Sequence, residues 1–299
     1  MTRLQAFRQR GMAVIGALLV VAAASIAATA IVERQALLAR TLIGERDRAQ
    51  AKWLLRSGLD WSRVILRYDA RRSPITHKDA MWAQPIAGLE ISPPGDARQA
   101  LFSGRIEDEQ GKYNLRNLAI DGVVQPQELL VLERLLGGLN IPASVAASIA
   151  ERVADSQASQ ERSALAPGLR GVGDLRGLDG VTPGMVDILA PYLTVLPEKT
   201  TVNANTASAE VLSANLAGLP LAEARALAGQ RDRGQWFNSL ADFTNRLGNP
   251  EVAPGGRIGV NSDWFRVAGE VTLDRSVVGM QALLHRQGSR APVIVWIRD

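Results

Sequence analysis

Three groups of side chains in this sequence are of a kind that could do chemistry. Glu107-Asp108-Glu109 sets three carboxylates in a row, the donor type taken by hard cations. Successive residues of a strand point to opposite faces, so the three cannot converge on one ion, and a solvated strand edge is expected instead. His77 and His285 are the two imidazoles, and neither has a Ser or Asp at the spacing of a nucleophile–base pair. His285 sits in an apolar run, where a satisfied structural role is expected. The third group is amide-rich, with Asn114 and Asn117 in one segment and Asn203-Ala204-Asn205-Thr206 in another. The sequence contains no phosphate loop, metalloprotease helix, nucleophile elbow or dinucleotide fingerprint. It also has no cysteine, which removes thiol nucleophiles, thiolate metal sites and disulfides. The expectation is a protein that is not an enzyme and requires no cofactor.

The elements that hold these residues begin with an apolar run. Arg3, Arg8 and Arg10 precede Gly11, and Met12 to Val32 then carries no formal charge. About twenty apolar residues is the length at which a helix crosses the hydrocarbon core of a bilayer. The arginines are expected to stay on the cytoplasmic side, placing the rest of the chain outside the cytoplasm. Two other readings are a plain signal anchor and a cleaved signal peptide ending near Ala27-Ala28-Thr29-Ala30. Of 299 residues 46% are hydrophobic, so a large core can form beyond this run, and the net charge is +4. Basic and acidic residues are interspersed, which argues against a dedicated nucleic-acid face.

From Glu33 to about Arg67 the apolar spacing is closer to helical than to period two. Gly44 and Gly58 are expected to weaken a single straight rod. Ser73-Pro74, Gln84-Pro85 and Ser92-Pro93-Pro94-Gly95 mark turns. Residues 100–118 alternate as two strands, joined by a tight turn at Glu109-Gln110-Gly111-Lys112 with Gly111 free to take positive φ. Gln127 to Leu136 reads as a helix stopped by Gly137-Gly138, and Ile141-Pro142 opens another reaching about Val153. Thr182 or Pro183 starts a short helix, and Tyr192 to Leu196 is a β-run. Thr206 or Ser208 can cap the next helix, which reaches Leu216. After Ala217-Gly218-Leu219-Pro220, a further helix runs to Arg231. The stretch from Ile258 to Asp299 is β-rich.

Several of these stretches resemble one family. A basic leader ending in glycine before an apolar helix is similar to type IV prepilins and type II secretion pseudopilins. The resemblance implies that a prepilin peptidase cuts after Gly11 and that Met12 becomes a methylated first residue. Most members carry glutamate as the fifth mature residue; here that position is Gly16, and minor pseudopilin K is the member that lacks it. Ile106, Asp108, Gln110, Gly111, Asn114, Leu115, Asn117 and Leu118 match the first asparagine motif of minor pseudopilin K, with Arg116 between its asparagine-leucine pairs. Asn203, Asn205 and Thr206 fall in the second motif. Ser262, Phe265, Val267 and Leu283-Leu284-His285-Arg286 resemble the ending. The family's calcium-binding loop is reduced here to Val153-Ala154-Asp155-Ser156 and a short stretch to Glu161, with few acids where calcium takes about six to eight oxygens.

The resemblance implies an α+β, pilin-like fold in which a long N-terminal helix packs on an antiparallel sheet, with an inserted mainly helical domain. The expected organisation is a leader at 1–11 and a helix at 12–67, with residues 12–32 in the membrane. The head would start at 68–118, be interrupted by helices at 119–245 and be completed by strands at 246–299. The implied role is a minor pseudopilin at the tip of the type II secretion pseudopilus, starting or capping its assembly. Its implied partners are other minor pseudopilins, the major pseudopilin, the prepilin peptidase, the inner-membrane assembly platform and inner-membrane lipid. The chain would cross the inner membrane once, with a cytoplasmic N-terminus and a periplasmic head. The competing reading is a membrane-anchored helix-hairpin-helix DNA-binding protein, with Arg225, Arg231 and Arg233 on phosphates. It is weakened because Gly218-Leu219-Pro220 replaces the usual second glycine by proline, which removes a backbone donor.

Overall fold

The computed structural model describes residues 4–91, 99–160, 162–249, 251–274 and 276–299, with side chains described from Met12 onward. The turn expected at Pro93-Pro94-Gly95 lies outside the described residues. Two compact units are formed, one of Met1–Leu54, Glu90–Leu101 and Val271–Val278, the other of Leu55–Leu89, Phe102–Glu270 and Gly279–Asp299.

Helix α1 runs without interruption from Leu4 to Arg72, so neither Gly44 nor Gly58 breaks it and it passes the expected end at Arg67. In the first unit its segment from Met12 to Val32 is fully exposed. It is the one described helix long and apolar enough to cross a membrane. Hydroxyls in and beside this stretch are satisfied locally: Ser25 donates to the Val21 carbonyl at 2.8 Å and Thr29 to the Ser25 carbonyl at 2.9 Å. A bilayer offers such groups no water, so this back-bonding makes the polar positions tolerable there.

The remaining elements follow in chain order. Strands β1 (Ile86–Ile91) and β2 (Ala100–Asp108) lead into β3 (Tyr113–Asn114), β4 (Ala119–Ile120) and β5 (Val123–Val124). Helices α2 (Pro126–Gly138), α3 (Ser144–Asp155) and α4 (Pro183–Leu189) precede β6 (Leu193–Thr194) and β7 (Val202–Asn203). After α5 (Ala209–Asn215), α6 (Leu221–Arg231) and α7 (Leu240–Asn245), the chain ends with β8 (Ile258–Gly259), β9 (Trp264–Leu273), β10 (Ser276–His285) and β11 (Val293–Arg298). The main sheet has the order β1-β2-β9-β10-β11, with β10 and β11 antiparallel. The helices between β2 and β9 enclose their own core, which includes Leu132, Leu136, Ile149, Leu212, Phe237 and Phe243. This is the expected α+β architecture.

Four local expectations are corrected. No tight hairpin turn follows β2. A 3-10 turn at Glu109–Gly111 redirects the chain, and β3 pairs in parallel with β6. Gly111 does not take positive φ. It is glycine because a Cβ there would lie 2.9 Å from Thr206 Oγ1 and 3.2 Å from the Thr206 backbone. Helix α2 passes through Gly137 and Gly138. Its stop is Asn140 at φ 57°, where the Ile141 N–H reaches back to the Leu136 carbonyl at 2.9 Å and the Asn140 N–H to Gly137 at 3.1 Å. That is the pattern of a left-handed cap, which asparagine tolerates. The helical insertion is also wider than 119–245. It opens directly after Asp108 and includes β8, because β8 pairs in parallel with β7, so the sheet strands resume at Trp264. Ser208, not Thr206, caps α5, accepting from Val211 N at 3.2 Å.

In the second unit, the helix lies close to the sheet because of Gly58. A Cβ at Gly58 would meet the Phe102 ring at 2.7 Å, and one at Gly269 would meet Leu55 Cδ2 at 3.1 Å. Leu55, Leu59 and Leu66 of α1 are almost fully buried. Glycine to alanine in a helix ordinarily stabilises by about 1 kcal/mol, but overpacking costs about 1–3 kcal/mol. Gly58→Ala should therefore destabilise the chain. Urea unfolding in detergent should show this loss largely recovered when Phe102→Leu is added, and additive effects of the two substitutions would count against the contact.

Candidate functional site

The amides and acids singled out in the sequence come together where the sheet hands over to the helices. Asp108 ends β2 and is buried. Its Oδ1 accepts from Gln110 N at 2.8 Å. Its Oδ2 accepts from Asn203 Nδ2 at 3.0 Å, Thr206 Oγ1 at 2.5 Å and Ser262 Oγ at 2.6 Å. These donors come from three separate stretches of chain, at Gln110, Asn203–Thr206 and Ser262. Burial pushes the Asp108 carboxyl above its ordinary pKa, while the bonds from Ser262, Thr206, Gln110 and Asn203 pull the other way.

The other motif residues act as substitutes for backbone. Asn203 Nδ2 also donates to the Thr76 carbonyl at 3.0 Å and to Ser262 Oγ at 2.9 Å, and its oxygen accepts from Asn205 N at 2.9 Å. Asn205 bonds both backbone groups of Phe237, accepting at 2.7 Å and donating at 2.9 Å. Asn114 donates to the Glu198 carbonyl at 2.8 Å and accepts from Leu196 N at 3.1 Å, while Asn117 both donates to and accepts from the Thr200 backbone. Gln110 spans from the Thr201 carbonyl, at 3.2 Å, to Asp263 N, at 2.6 Å. Most of these partners lie far along the chain from the motif residues that hold them.

A buried cation completes the junction. Arg286 bonds Asp69 Oδ2 at 3.1 Å, Thr76 Oγ1 at 2.6 Å and the Ser262 carbonyl, and it stacks over Phe265 at 4.8 Å. Burial raises the Asp69 pKa and Arg286 opposes the rise. Arg286 and Asp69 were not marked as a pair by sequence reading. An arginine closing an otherwise apolar strand was the available signal.

The acidic trio separates across the two faces as alternation requires, but it is not a solvated edge. Glu107 meets Arg266 at 2.6 Å and Arg105 at 2.6 Å. Buried Glu109 meets Lys112 at 2.8 Å and Arg266 at 3.1 Å, and it accepts from Thr194. The edge is internal because the insertion folds back over it, bringing Thr194 of β6 against Glu109. Burial works against ionisation of Glu107, yet Arg266, Lys112 and Arg105 outweigh it and hold its pKa at about 2.

Among the described residues no group of three His, Asp or Glu gathers as a metal site. Asp155 faces Arg162 at 4.0 Å, and Glu161 lies outside the described residues. His285 stacks on Trp264 with ring centres 4.2 Å apart, and His77 stacks on Trp236 at 4.1 Å. In the hairpin, Gly218 takes φ 86°. Arg231 is buried and donates to the Ala204 and Ala207 carbonyls, and Arg225 meets Glu210 at 3.4 Å. Two of the three arginines named for phosphate contact are thus engaged within the protein.

The residues expected to mediate processing and assembly stand apart from the junction. Gly11 belongs to the helical backbone but lies outside the residues whose side chains are described. Met12 is 74% exposed. Gly16 has nothing within 4 Å of the position a Cβ would take.

Comparison with known proteins gives a consistent result. Two family models, both describing type II secretion system protein K, match residues 111–198 and 202–261. Type II secretion system protein K of Pseudomonas aeruginosa is 28% identical over 97% of this chain and 92% of its own length. The protein of that name from Klebsiella pneumoniae is 27% identical over 98% of this chain and 99% of its own. A chain in the crystal structure of the GspK–GspI–GspJ complex of the enterotoxigenic Escherichia coli type 2 secretion system superposes with a TM-score of 0.66 at 18% identity. The match covers 85% of this chain and 97% of that one, and shows a shared fold.

Two predictions follow from the junction's chemistry. Whichever way an amide at position 108 turns, its NH2 faces an N–H donor, either Gln110 N or Asn203 Nδ2. Asp108→Asn should therefore cost about 2 kcal/mol or more in urea unfolding, and a change within about 0.5 kcal/mol, typical of a surface site, would contradict this account. Glu107 has a folded pKa below its unfolded value, so its stabilisation is full above the unfolded value and is lost as pH falls from there through about 2. Allowing for partial exposure, the cost of Glu107→Gln should be about 1 kcal/mol larger at pH 7 than at pH 3. Equal costs at both pH values would show that Glu107 is not held ionised.

Proposed function

Since this chain belongs to the type II secretion system protein K family, and is a minor pseudopilin of that system, we propose that it sits at the tip of the pseudopilus and starts or caps its assembly. The observation that carries this reading is the exposed apolar stretch of α1 from Met12, with glycine where a carboxylate would engage a neighbouring amino terminus. Gly16 lies open on the helix surface with no side chain to offer. A subunit that engages nothing beyond itself suits the first place in a filament and not a place within one. The head supports the same position, because a sheet carrying an inserted helical layer would obstruct subunits stacked above it.

The lower part of α1 offers a surface for assembly. Trp61, Val64 and Tyr68 are 58%, 54% and 46% exposed. On a helix they follow one another at three- and four-residue steps, opposite the buried Leu55, Leu59 and Leu66. An exposed apolar stripe of this kind fits lateral packing against the helices of other minor pseudopilins. Its partners would be those proteins, as in the GspK–GspI–GspJ complex, together with the major pseudopilin, the assembly platform and inner-membrane lipid. Topology follows from Arg3, Arg8 and Arg10: the amino terminus is cytoplasmic and the head periplasmic. The role is one of assembly, with no catalytic step and no required cofactor.

Processing after Gly11 gives the most direct test. Co-expressed with a prepilin peptidase, the wild type should lose residues 1–11 and yield N-methyl-methionine at Met12, while Gly11→Ala should remain at full length. Identical migration of the two, with no methylated methionine by mass spectrometry, would refute the reading. Trp61→Asp should leave processing intact and weaken co-purification with the partner pseudopilins about tenfold or more, as expected for loss of an interfacial tryptophan.

A further inference from the structure

A cavity of about 250 Å³ lies where β6 and residues 170–173 close over β9, β10 and β11. Its wall includes Arg170, Arg266 and Arg298, the apolar side chains of Leu283 and Trp296, and one acid among the described residues, Glu109. The volume is just under the roughly 300–1,000 Å³ of drug-sized ligand sites, so it suits a compact occupant.

Glu109 does not answer all three arginines. Its Oε1 meets Lys112 at 2.8 Å and Arg266 at 3.1 Å, and its Oε2 accepts from Thr194. Arg266 also meets Glu107 at 2.6 Å. The charges of Lys112 and Arg266 are thus balanced by Glu107 and Glu109. Arg170 and Arg298 are left over, since no acidic side chain bonds either guanidinium among the described residues.

The place of Arg298 is well defined. Its Nη2 donates to the Arg170 carbonyl at 2.8 Å, and its Cζ lies 4.1 Å from the centre of the Trp296 ring. Its Nη1 is 3.8 Å from the position a Cβ on Gly171 would take. Arg170, Gly171 and Trp296 all line the cavity, so the guanidinium itself stands in the wall. Of its five N–H donors, the carbonyl takes one. Arg170 is fixed beside it through its own backbone, whose N–H donates to Asp174 Oδ2 at 2.6 Å. Two cations held at one cavity without an acid repel each other, and an anion between them turns that repulsion into attraction.

We propose that this cavity binds a phosphate group, with Arg298 and Arg170 as its cationic partners. Two unanswered positive charges match a dianion, and the planar fork of a guanidinium fits the oxygens of phosphate. A monocarboxylate would leave one charge unanswered. Stacking on Trp296 already restrains Arg298, so less side-chain freedom is lost when the anion arrives. Inorganic phosphate and a phosphate ester on a larger molecule share this chemistry.

Isothermal titration of the full chain in detergent with inorganic phosphate tests the site, with acetate and succinate as controls. Ionic strength is held constant, at about pH 7.5, where phosphate is largely doubly charged. Phosphate should saturate one site, and Arg298→Met should bind it at least about tenfold more weakly, the scale of one lost charged hydrogen bond. Arg298→Lys, which keeps the charge but not the fork, should fall between the two. Arg170→Met gives an independent reading and should also bind more weakly, whereas Arg290→Met, outside the wall, should bind normally. The proposal is overturned if phosphate does not saturate, if Arg298→Met binds it as tightly as the wild type, or if acetate or succinate binds as tightly as phosphate. Glycerol phosphate separates the two sources. Binding at least as tight as that of inorganic phosphate assigns the site to an ester-borne group, and weaker binding assigns it to the free anion. Neither arm uses the assembly role proposed above, so failure here leaves that reading intact.

Discussion

The second unit depends on one buried carboxylate. Taking a carboxylate out of water costs several kcal/mol unless hydrogen bonds replace its hydration. Asp108 receives four such bonds, from segments as far apart as Gln110 and Ser262. The free energy involved is large on both sides and nearly cancels, so the net gain in stability is modest. What the arrangement supplies is discrimination. Any register in which the chain leaves β2 or returns to β9 at another residue would leave the carboxylate, or one of its donors, without a partner. The insertion is therefore fixed at its entry and its return by the same oxygen atoms.

Much of this was legible in the sequence as residue types, and little of it as geometry. The long helix followed from length and charge alone, because a bilayer sets a length and the arginines set a direction. Asp108, Gln110, Asn114, Asn117, Asn203 and Asn205 stood out through the motifs they share with the resembled family, although Asp108 was expected on a solvated strand edge. Their partners did not, since Asn117 to Thr200 and Asn205 to Phe237 are contacts across long stretches of chain. No local periodicity encodes them. The two-residue parallel pairings of β3 with β6 and β7 with β8 are too short to leave a strand pattern. The supposed hairpin at Glu109–Lys112 failed for a local reason: an Asx-type bond that Asp108 Oδ1 accepts from Gln110 N competes with a hairpin turn.

Glycine illustrates how one residue type can serve unrelated physical ends along a single helix. At Gly16 no atom lies within 4 Å of the place a Cβ would take, so nothing in the packing of the described residues calls for glycine there. At Gly58 the Phe102 ring occupies the space a side chain would need, so the residue is there for closeness. Helix propensity would penalise both equally. Gly58, with Gly44, was expected to weaken the rod, yet the helix continues through both and through Gly16. At Gly58 packing within the chain outweighs that cost.

The choice of arginine over lysine at position 286 shows how far the junction depends on shape as well as charge. Its guanidinium reaches Asp69, the Thr76 hydroxyl and the Ser262 carbonyl at once, with its flat face over Phe265. A lysine ammonium could neutralise Asp69, but its three donors radiate from one atom and it has no planar face to lay on a ring. The Thr76 hydroxyl would then keep the Ser262 N–H, at 3.1 Å, but lose its bond to the guanidinium. Thr76 is also where Val260 and Asn203 converge, through its backbone N–H and carbonyl. The planar fork thus joins the end of α1, the segment after it and the return to β9 through one side chain. A charge alone would hold Asp69, whereas the fork also holds the backbone around it.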